Sequence, residues 1–141
     1  MRVPMYDERI VAPMREALTR LGVQELRTPG EVDEALRDTR GTTLVVVNST
    51  CGCAARNARP AVARALMHAK LPDHLTTVFA GQDAEATARA REYFAPFGPS
   101  SPQIALMKDG AVAFMLERKH IEGRSAEEIA KDLTAAFDRH C

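Results

Sequence analysis

The sequence predicts an α/β protein, built on a mixed β-sheet that has helices on both faces and one extra helix at the N-terminus. Three observations predict this class. Apolar β-branched runs alternate with segments of helical periodicity. An Asp-Gly pair separates two late apolar runs, as in a β-hairpin. A helical segment precedes the first strand. The length of 141 residues suits a single domain over 1–141.

The first half of the chain begins with a helix and then alternates between strands and helices. Apolar residues at helical spacing predict one buried face on the first helix: Ile10, Val11, Met14, Leu18 and Leu21. A short strand follows at 24–27. The next helix starts at Pro29 and runs to about Asp38, because Thr28 can cap it and Glu31 can complete a capping box.

The middle of the chain contains the two strands with the strongest core pattern. Residues 42–48 are apolar, β-branched and uncharged, which predicts a central strand buried on both faces. The helix after this strand is predicted to kink at Pro60. The residues predicted to form the buried face of that helix are Ala58, Val62, Ala65, Leu66 and Ala69. A second core strand is predicted at 75–80. Asp83 can cap a further helix, whose buried stripe is Ala86, Ala90, Tyr93, Phe94 and Phe97.

The last third of the chain predicts a hairpin and a closing helix. A Pro/Gly/Ser cluster at 98–102 interrupts the chain. Strands at 103–107 and 112–116 then flank the Asp-Gly pair. Ser125 and Glu128 form a capping box before a helix that buries Ile129, Leu133, Ala136 and Phe137. The predicted order is one helix, three strand–helix pairs, a hairpin and a final helix. This is the thioredoxin order with one extra N-terminal helix.

Charge and hydropathy exclude several classes of protein. The chain has 19 basic and 19 acidic side chains, so it has no electrostatic footprint for nucleic acid. Its longest strongly apolar stretch, 44–47, is far shorter than the roughly 20 residues of a membrane helix. Charged residues interrupt any secretory signal near the N-terminus: Arg2, Asp7, Glu8 and Arg9. We therefore expect a cytoplasmic protein without nucleic-acid or membrane partners.

Two of the three cysteines stand one residue apart, after the central strand and before a helix. In the reducing cytosol, such pairs are more often catalytic, redox-sensing or metal-binding than structural. A helix N-terminus favours an anion, so the pKa of Cys51 should fall and its thiolate could attack disulfides. Cys53 is close enough to act as the resolving thiol, and Gly52 can adopt the unusual dihedrals that a small ring needs. The pattern predicts thiol–disulfide exchange.

Metal binding is the main alternative for the cysteine pair. A Cys-x-Cys pair can hold a soft metal, but tetrahedral zinc needs about four ligands. The four histidines lack metal-ligand spacing: His68, His74, His120 and His140. Redox chemistry is therefore the favoured interpretation, with no metal site assigned. Cys141, on an end that we expect to be frayed, is either a bystander or a further thiol that reaches the site, and we favour the bystander.

Three further residues have both a structural and a functional interpretation. Arg56 and Arg59 lie in the first turns of the helix after the cysteines, where they form a solvated face or attract an anionic thiol substrate. Pro102 opens a strand, and an ordinary trans turn proline is the default interpretation.

Motifs spread along the chain resemble those of the bacilliredoxin family, which are thioredoxin-like proteins with a Cys-Gly-Cys motif. The resemblance covers nearly the whole chain, including the extra first helix. It rests on residues 48–55, 58–60, 79–83, 99–102 and 136–138 together with Cys141. Arg124 is a departure, because the resemblance leads us to expect a histidine there.

The resemblance implies an enzyme that removes bacillithiol, or a similar small thiol, from mixed disulfides on proteins. Cys51 would be the nucleophile and would itself carry the bacillithiol, which Cys53 or a second bacillithiol would release. Pro102 would be cis and face Cys51, so that the backbone of Ser101 could pair with a substrate. The partners implied are S-thiolated proteins and bacillithiol as a co-substrate, with no bound cofactor. Two alternatives stay open: a general protein disulfide isomerase, and a soft-metal-binding module.

Overall fold

A five-stranded mixed β-sheet organises the computed structural model, which describes residues 4–37 and 39–141. The strands are β1 Gln24–Glu25, β2 Thr42–Asn48, β3 His74–Phe79, β4 Gln103–Lys108 and β5 Ala111–Leu116. The helices are α1 Glu8–Thr19, α2 Pro29–Leu36, α3 Arg59–Ala65, α4 Ala84–Glu92, α5 Arg118–Ile121 and α6 Ala126–His140. A π-helical turn, Ala54–Ala58, precedes α3. No helix among these residues is long and apolar enough to cross a membrane.

The strand order is β1-β3-β2-β4-β5. β1 and β2 run parallel to β3, whereas β4 is antiparallel to both β2 and β5. Leu44 and Val46 of β2 share a buried cluster with residues of α1, α3 and α6 on one face of the sheet. Val45 and Val47 share another with residues of α2 and α4 on the opposite face. The predicted mixed sheet with helices on both faces is confirmed, and every residue of β2 is buried as predicted.

Three residues predicted to be buried on helical faces are exposed. Ile10 is 56% exposed and Phe97 is 40% exposed, although both were predicted to be buried. Ala69 is also exposed. The physical reason at two of these positions is that the helix has already ended, since α3 stops at Ala65 and α4 stops at Glu92. β1 is shorter than predicted, α5 was not predicted, and the predicted helix end at Asp38 lies outside the described residues.

Three predicted caps have different outcomes. The Ser125–Glu128 capping box before α6 is complete. Thr28 caps α2 through the N–H of Glu31 at 3.1 Å, but the Glu31 carboxylate accepts from the N–H of Arg27 instead of closing the box. Asp83 occupies the N-cap position of α4 without capping it. Its carboxylate accepts a hydrogen bond from a buried arginine, and that ion pair takes the place of a cap.

The irregularity predicted at Pro60 takes the form of the π-helical turn. Proline has no N–H, and its ring crowds the carbonyl of the residue four positions earlier. The N–H of Arg59 bonds to the carbonyl of Ala54, five residues back, and Pro60 falls in the first turn of α3. The helix runs without a break from this turn into α3, so Pro60 lies just after the backbone hydrogen bonds change from π-helical to α-helical spacing. π-Helical turns of this kind often lie at functional sites.

Candidate active site

The carboxyl end of β2 is held by the side chain of Asn48, which is 2% exposed. Its Nδ2 donates to the carbonyl of Met14 in α1 at 3.1 Å. Its Oδ1 accepts from the N–H of Ser49 at 2.9 Å and from Nη1 of Arg59 at 2.8 Å. Asn48 therefore joins α1, the strand end and the helix after the cysteines at the point where the cysteine turn begins.

Arg59 is buried, which corrects the prediction of a solvated face, whereas its role in attracting an anionic thiol substrate stays a prediction. Only 8% of the residue is exposed, and Nη1 also donates to the carbonyl of Ser49 at 2.8 Å. Burial lowers the pKa of Arg59, and attraction to the Cys51 thiolate opposes that shift. A guanidinium is charged at any ordinary pH. Arg59 thus places a fixed positive charge behind Cys51.

Cys51 directly precedes a helical segment that begins at Gly52. Its carbonyl accepts from the N–H groups of Ala54 and Ala55 at 3.1 and 3.2 Å, and the hydroxyl of Ser49 donates to its Sγ at 3.3 Å. Burial alone would raise the pKa of Cys51. Hydrogen bonds from the Ser49 hydroxyl and from nearby backbone N–H groups outweigh burial, so the pKa lies below that of an ordinary thiol.

The pKa of Cys53 is displaced in the opposite direction. Burial raises it first, and the negative charge of the Cys51 thiolate with the hydrogen bond between the two side chains raises it further. Both thiols are free and partly exposed. Because Cys51 ionises before Cys53, the geometry favours the predicted division into an attacking thiol and a resolving thiol.

Gly52 and Arg56 lie against each other on the exposed side of the cysteine pair. A Cβ built on Gly52 would come within 2.6 Å of Nη2 of Arg56, so the guanidinium folds back over the glycine. Any side chain at this position would displace Arg56. The exposed Arg56 thus lies beside the cysteine pair, where a substrate role stays a prediction.

A cleft of about 340 Å³ opens beside Cys51. Its described walls come from five separate segments of the chain: Met5, Tyr6, Ser49, Thr50, Cys51, Ala80, Gly81, Arg91 and Ser101. The Ser101–Pro102 peptide bond is cis, as the resemblance implied, and Pro102 is buried next to Ser101. Cys51 and the predicted substrate-binding Ser101 therefore share one cleft.

Another wall of the cleft is made by Met5 and Tyr6, which precede α1. The N–H of Met5 donates to the carbonyl of Gly81 at 3.1 Å. The buried Gln82 then binds the backbone of Tyr6 twice, accepting from its N–H at 3.1 Å and donating to its carbonyl at 3.0 Å. Gly81 has a φ of +83°, and a Cβ there would approach Met5 Sδ to 3.2 Å. The motif at 79–83 therefore holds the N-terminal segment over the cleft.

Arg91 and Arg118 are site residues that the sequence reasoning missed. Arg91 lines the cleft and donates through Nη2 to the carbonyl of Ser100 at 2.9 Å. Arg118 donates to the carbonyl of Ser101 at 3.4 Å and pairs with Glu122 at 3.1 Å. Its pKa is raised, first by the hydrogen bond to Glu122 and then by the negative charges of the two cysteines.

The pairing of the two hairpin strands is the sequence signal that could have identified Arg118, to within one residue. A tight Asp-Gly turn with regular pairing would place residue 117 opposite Pro102 at the start of β4. A register shift between Leu106 and Met107 moves the pairing by one residue, so Ile104 lies opposite Leu116 and the loop before β4 meets Arg118. No pattern within α4 distinguishes Arg91 from its other arginine, Arg89.

Cys141 caps the last turn of α6, which corrects the predicted frayed end. Its N–H donates to the carbonyl of Phe137 at 2.8 Å, and its side chain packs against the core. The helix after the cysteines lies alongside α6, because Asn57 bonds to the carbonyl of Arg124 and His68 pairs with Asp138. The rise of an α-helix over residues 57–68 is about 16 Å. Cys141 therefore lies near the end of α3 that is far from Cys51.

The described residues contain no group of three or more histidine, cysteine, aspartate or glutamate side chains that could hold a metal ion. Cys51 and Cys53 provide two thiols to the site. The residue set at this site therefore suits exchange between sulfur atoms better than tetrahedral metal binding.

Comparison with known proteins gives concordant results. A family model described as "Disulphide isomerase" matches residues 6–141. A bacilliredoxin of Koribacter versatilis is 53% identical over 137 residues, covering 97% of this chain and 94% of that protein. A bacilliredoxin of Salinibacter ruber is 56% identical over 138 residues, covering 96% and 81%. A solved structure with a thioredoxin fold matches with a TM-score of 0.57 at 13% identity, covering 81% of this chain and 92% of that one. The predicted thioredoxin-like fold is confirmed.

Proposed function

Since this chain belongs to the bacilliredoxin family of thiol–disulfide oxidoreductases, we propose that it removes bacillithiol, or a similar small thiol, from mixed disulfides on proteins. One observation carries the proposal: two free thiols lie one residue apart at the end of β2, the Ser49 hydroxyl donates to Sγ of Cys51 at 3.3 Å, and the pKa values of the two thiols are displaced in opposite directions. Such a pair suits exchange through an adduct that the protein resolves itself, because one sulfur attacks readily and the other stays protonated until the adduct has formed.

In the first step, the Cys51 thiolate attacks the bacillithiol sulfur of the mixed disulfide. A disulfide forms between Cys51 and bacillithiol while the bond to the target protein breaks. The target leaves as a thiolate and takes a proton from water. One disulfide replaces another, so no external oxidant or reductant is needed. The hydrogen bond from Ser49 and the charge of Arg59 keep Cys51 ionised for this attack.

In the second step, Cys53 attacks the sulfur of Cys51 and bacillithiol leaves as a thiolate. The products are free bacillithiol and a Cys51–Cys53 disulfide. The negative charge on Cys51 is one cause of the raised pKa of Cys53, and adduct formation removes that charge. Cys53 therefore loses its proton more readily once there is an adduct to resolve. Alternatively, a second bacillithiol attacks the adduct, which yields bacillithiol disulfide and regenerates the Cys51 thiolate.

The test is to offer a protein bacillithiolated at one cysteine and follow the adduct by intact-protein mass spectrometry. Cys51→Ala should abolish removal. Cys53→Ala should still free the target and accumulate one bacillithiol on Cys51. Cys141→Ala is the matched control and should behave as the unsubstituted protein, because Cys141 lies away from the site. Transfer that survives Cys51→Ala would contradict the assignment.

A general protein disulfide isomerase is the second candidate, favoured by the description of the matching family model. It would use the same Cys51 and differ only in substrate. Reactivation of a scrambled disulfide-containing protein, measured beside the bacillithiol assay at equal enzyme concentration, separates the two. Fast reactivation together with slow removal of bacillithiol would favour the isomerase.

The proposal includes no bound cofactor, because the two thiols carry out the exchange themselves. Its partners are S-thiolated proteins and bacillithiol as a co-substrate. The proposed place of action is the cytoplasm, where a reducing thiol pool keeps free cysteines such as Cys51, Cys53 and Cys141 available.

A further inference from the structure

We propose that the cleft beside Cys51 binds the anionic part of the small thiol, and that Arg91 selects small thiols that carry a carboxylate. This inference rests on the proposed function, because it concerns the small-thiol half of the mixed disulfide. It adds a chemical class of substrate and a specificity-determining residue that acts through the cleft and not through the cysteines.

The charge of the cleft is the first observation. Among the described residues that line it, Arg91 is the only charged side chain other than the ionisable Cys51, and none is acidic. Arg91 makes no ion pair with any residue in 4–37 or 39–141, whereas Arg118 pairs with Glu122 and Arg89 pairs with Asp33. The cleft therefore presents a positive charge that no described carboxylate neutralises.

The burial of Arg91 is the second observation. Its Nε is buried and has no hydrogen-bond partner among the described residues, and its Nη2 donates to a backbone carbonyl at 2.9 Å. Burial lowers the pKa of Arg91, which reflects the cost of holding this charge away from water. A guanidinium stays protonated under such conditions. A partly buried cation without a counter-charge favours an anionic ligand, and a carboxylate matches its fork of donors.

The position of Arg91 relative to the reacting sulfur is the third observation. Arg91 holds Ser100, and the next residue, Ser101, lines the same cleft as Cys51. A small thiol bonded to the Cys51 sulfur would therefore extend its body along the wall that contains Arg91. The volume of about 340 Å³ lies at the lower end of the range of roughly 300–1,000 Å³ for ligand sites.

The other arginines near the cysteines are less suited to this role. Arg59 is buried and bonded to Asn48 and Ser49. Arg118 is paired with Glu122. Arg56 is exposed over Gly52 and is not among the residues that line the cleft. Of these arginines, Arg91 is thus the one that lines the cleft and has no ion-pair partner among the described residues.

The experiment uses one carrier protein with a single cysteine, converted to mixed disulfides with two acids and two alcohols of matched length. The acids are 3-mercaptopropionate and 6-mercaptohexanoate, and the alcohols are 3-mercaptopropanol and 6-mercaptohexanol. The Cys53→Ala variant traps each adduct on Cys51, and mass spectrometry gives its rate of formation. Rates with free N-acetylcysteine correct for the intrinsic reactivity of each disulfide. Two chain lengths allow for different reaches from Cys51 to Arg91.

We expect at least one acid to react faster than its matched alcohol by about tenfold, the usual contribution of one charge-assisted hydrogen bond. Adding Arg91→Gln should bring that ratio close to one by lowering the acid rates more than the alcohol rates, while Arg91→Lys should keep part of the preference. Arg64→Gln is the matched control, since Arg64 is exposed on α3 and outside the cleft, and it should keep the full preference.

Two outcomes would overturn the inference while the proposed function stands. Equal corrected rates for acids and alcohols would show that the cleft does not select anions. An equal loss of both rates in Arg91→Gln would show that Arg91 only positions the loop at Ser100. If no small-thiol adduct forms on Cys51 with any of the four substrates, the proposed function fails and this inference fails with it.

Discussion

At the scale of single residues, Cys51 and Cys53 have different chemistry because they have different neighbours. The Ser49 hydroxyl and backbone N–H groups are directed at the Cys51 sulfur. Cys53 instead faces the negative charge of Cys51 and of Glu122, which raises its pKa, and the positive charge of Arg118 acts against them. Although the two cysteines are separated by only one residue, Cys51 ionises readily and Cys53 stays protonated.

Ser49→Ala should raise the pKa of Cys51, because it removes the hydrogen bond that the hydroxyl donates to Sγ. The thiolate fraction at neutral pH would fall. The alkylation rate would still increase with pH, but its midpoint would move to higher pH. Iodoacetamide alkylation against pH, in a background without Cys53 and Cys141, measures this. Ser49→Thr keeps a hydroxyl and is the control, and an unchanged midpoint in Ser49→Ala would contradict the role of this hydrogen bond.

At the scale of elements, the turn between β2 and α3 is held by a buried clamp, the hydrogen bonds from Arg59 to Asn48 and Ser49, in addition to backbone hydrogen bonds. Arg59 reaches back from α3 to Asn48 and to the carbonyl of Ser49, both at the end of β2. The π-helical turn lies between these anchors. The helix that carries Cys53 is thus tied to the strand that positions Cys51.

Arg59→Met should lower the free energy of unfolding by about 2–4 kcal/mol, because it leaves the Asn48 and Ser49 oxygens buried with fewer donors. Urea denaturation of the reduced protein measures the loss. Arg56→Met is the matched control: Arg56 is exposed, so its removal should change stability by no more than about 0.5 kcal/mol. A loss in Arg59→Met as small as in the control would show that the clamp is dispensable.

At the scale of the whole molecule, Arg15 joins three parts of the chain beneath the N-terminal wall of the cleft. Its side chain is 6% exposed and pairs with Glu8 at 2.6 Å, with Glu25 at 2.9 Å and with Asp83 at 2.7 Å. It also lies over the ring of Phe79 at 5.3 Å. The extra N-terminal helix is therefore attached to β1 and to the loop after β3, next to the motif that holds Tyr6.

Arg15→Met should lower the free energy of unfolding by about 3–5 kcal/mol, the usual cost of breaking a buried ion pair and leaving its partner charged. Arg9→Met, at an exposed pair, is the control. The hydrogen bond from Arg15 holds the pKa of Glu8 below its ordinary value, so this stability is present above the unfolded pKa of glutamate and is lost as pH falls through the folded pKa. The difference between Arg15→Met and the unsubstituted protein should therefore shrink in acid.

Local patterns predicted the elements well and their limits less well. The predicted bounds of β2 agree with the structure at both ends, because an uncharged β-branched run is buried along its whole length. The capping box before α6 formed because Ser125 and Glu128 meet within one turn. Phe97 and Ala69 were misplaced because apolar spacing can continue past a helix end, and spacing does not record where the backbone turns away.

The sequence by itself determined the fold class, the family resemblance and the cysteine turn after a buried strand, because each depends on residue types a few positions apart. Only the tertiary structure decided that Arg59 is buried, that Cys141 lies away from the site, and that Arg91 and Tyr6 share a cleft with Cys51. The physical reason is that this cleft is assembled from five distant segments. Their meeting depends on strand register and helix packing, which no local pattern encodes.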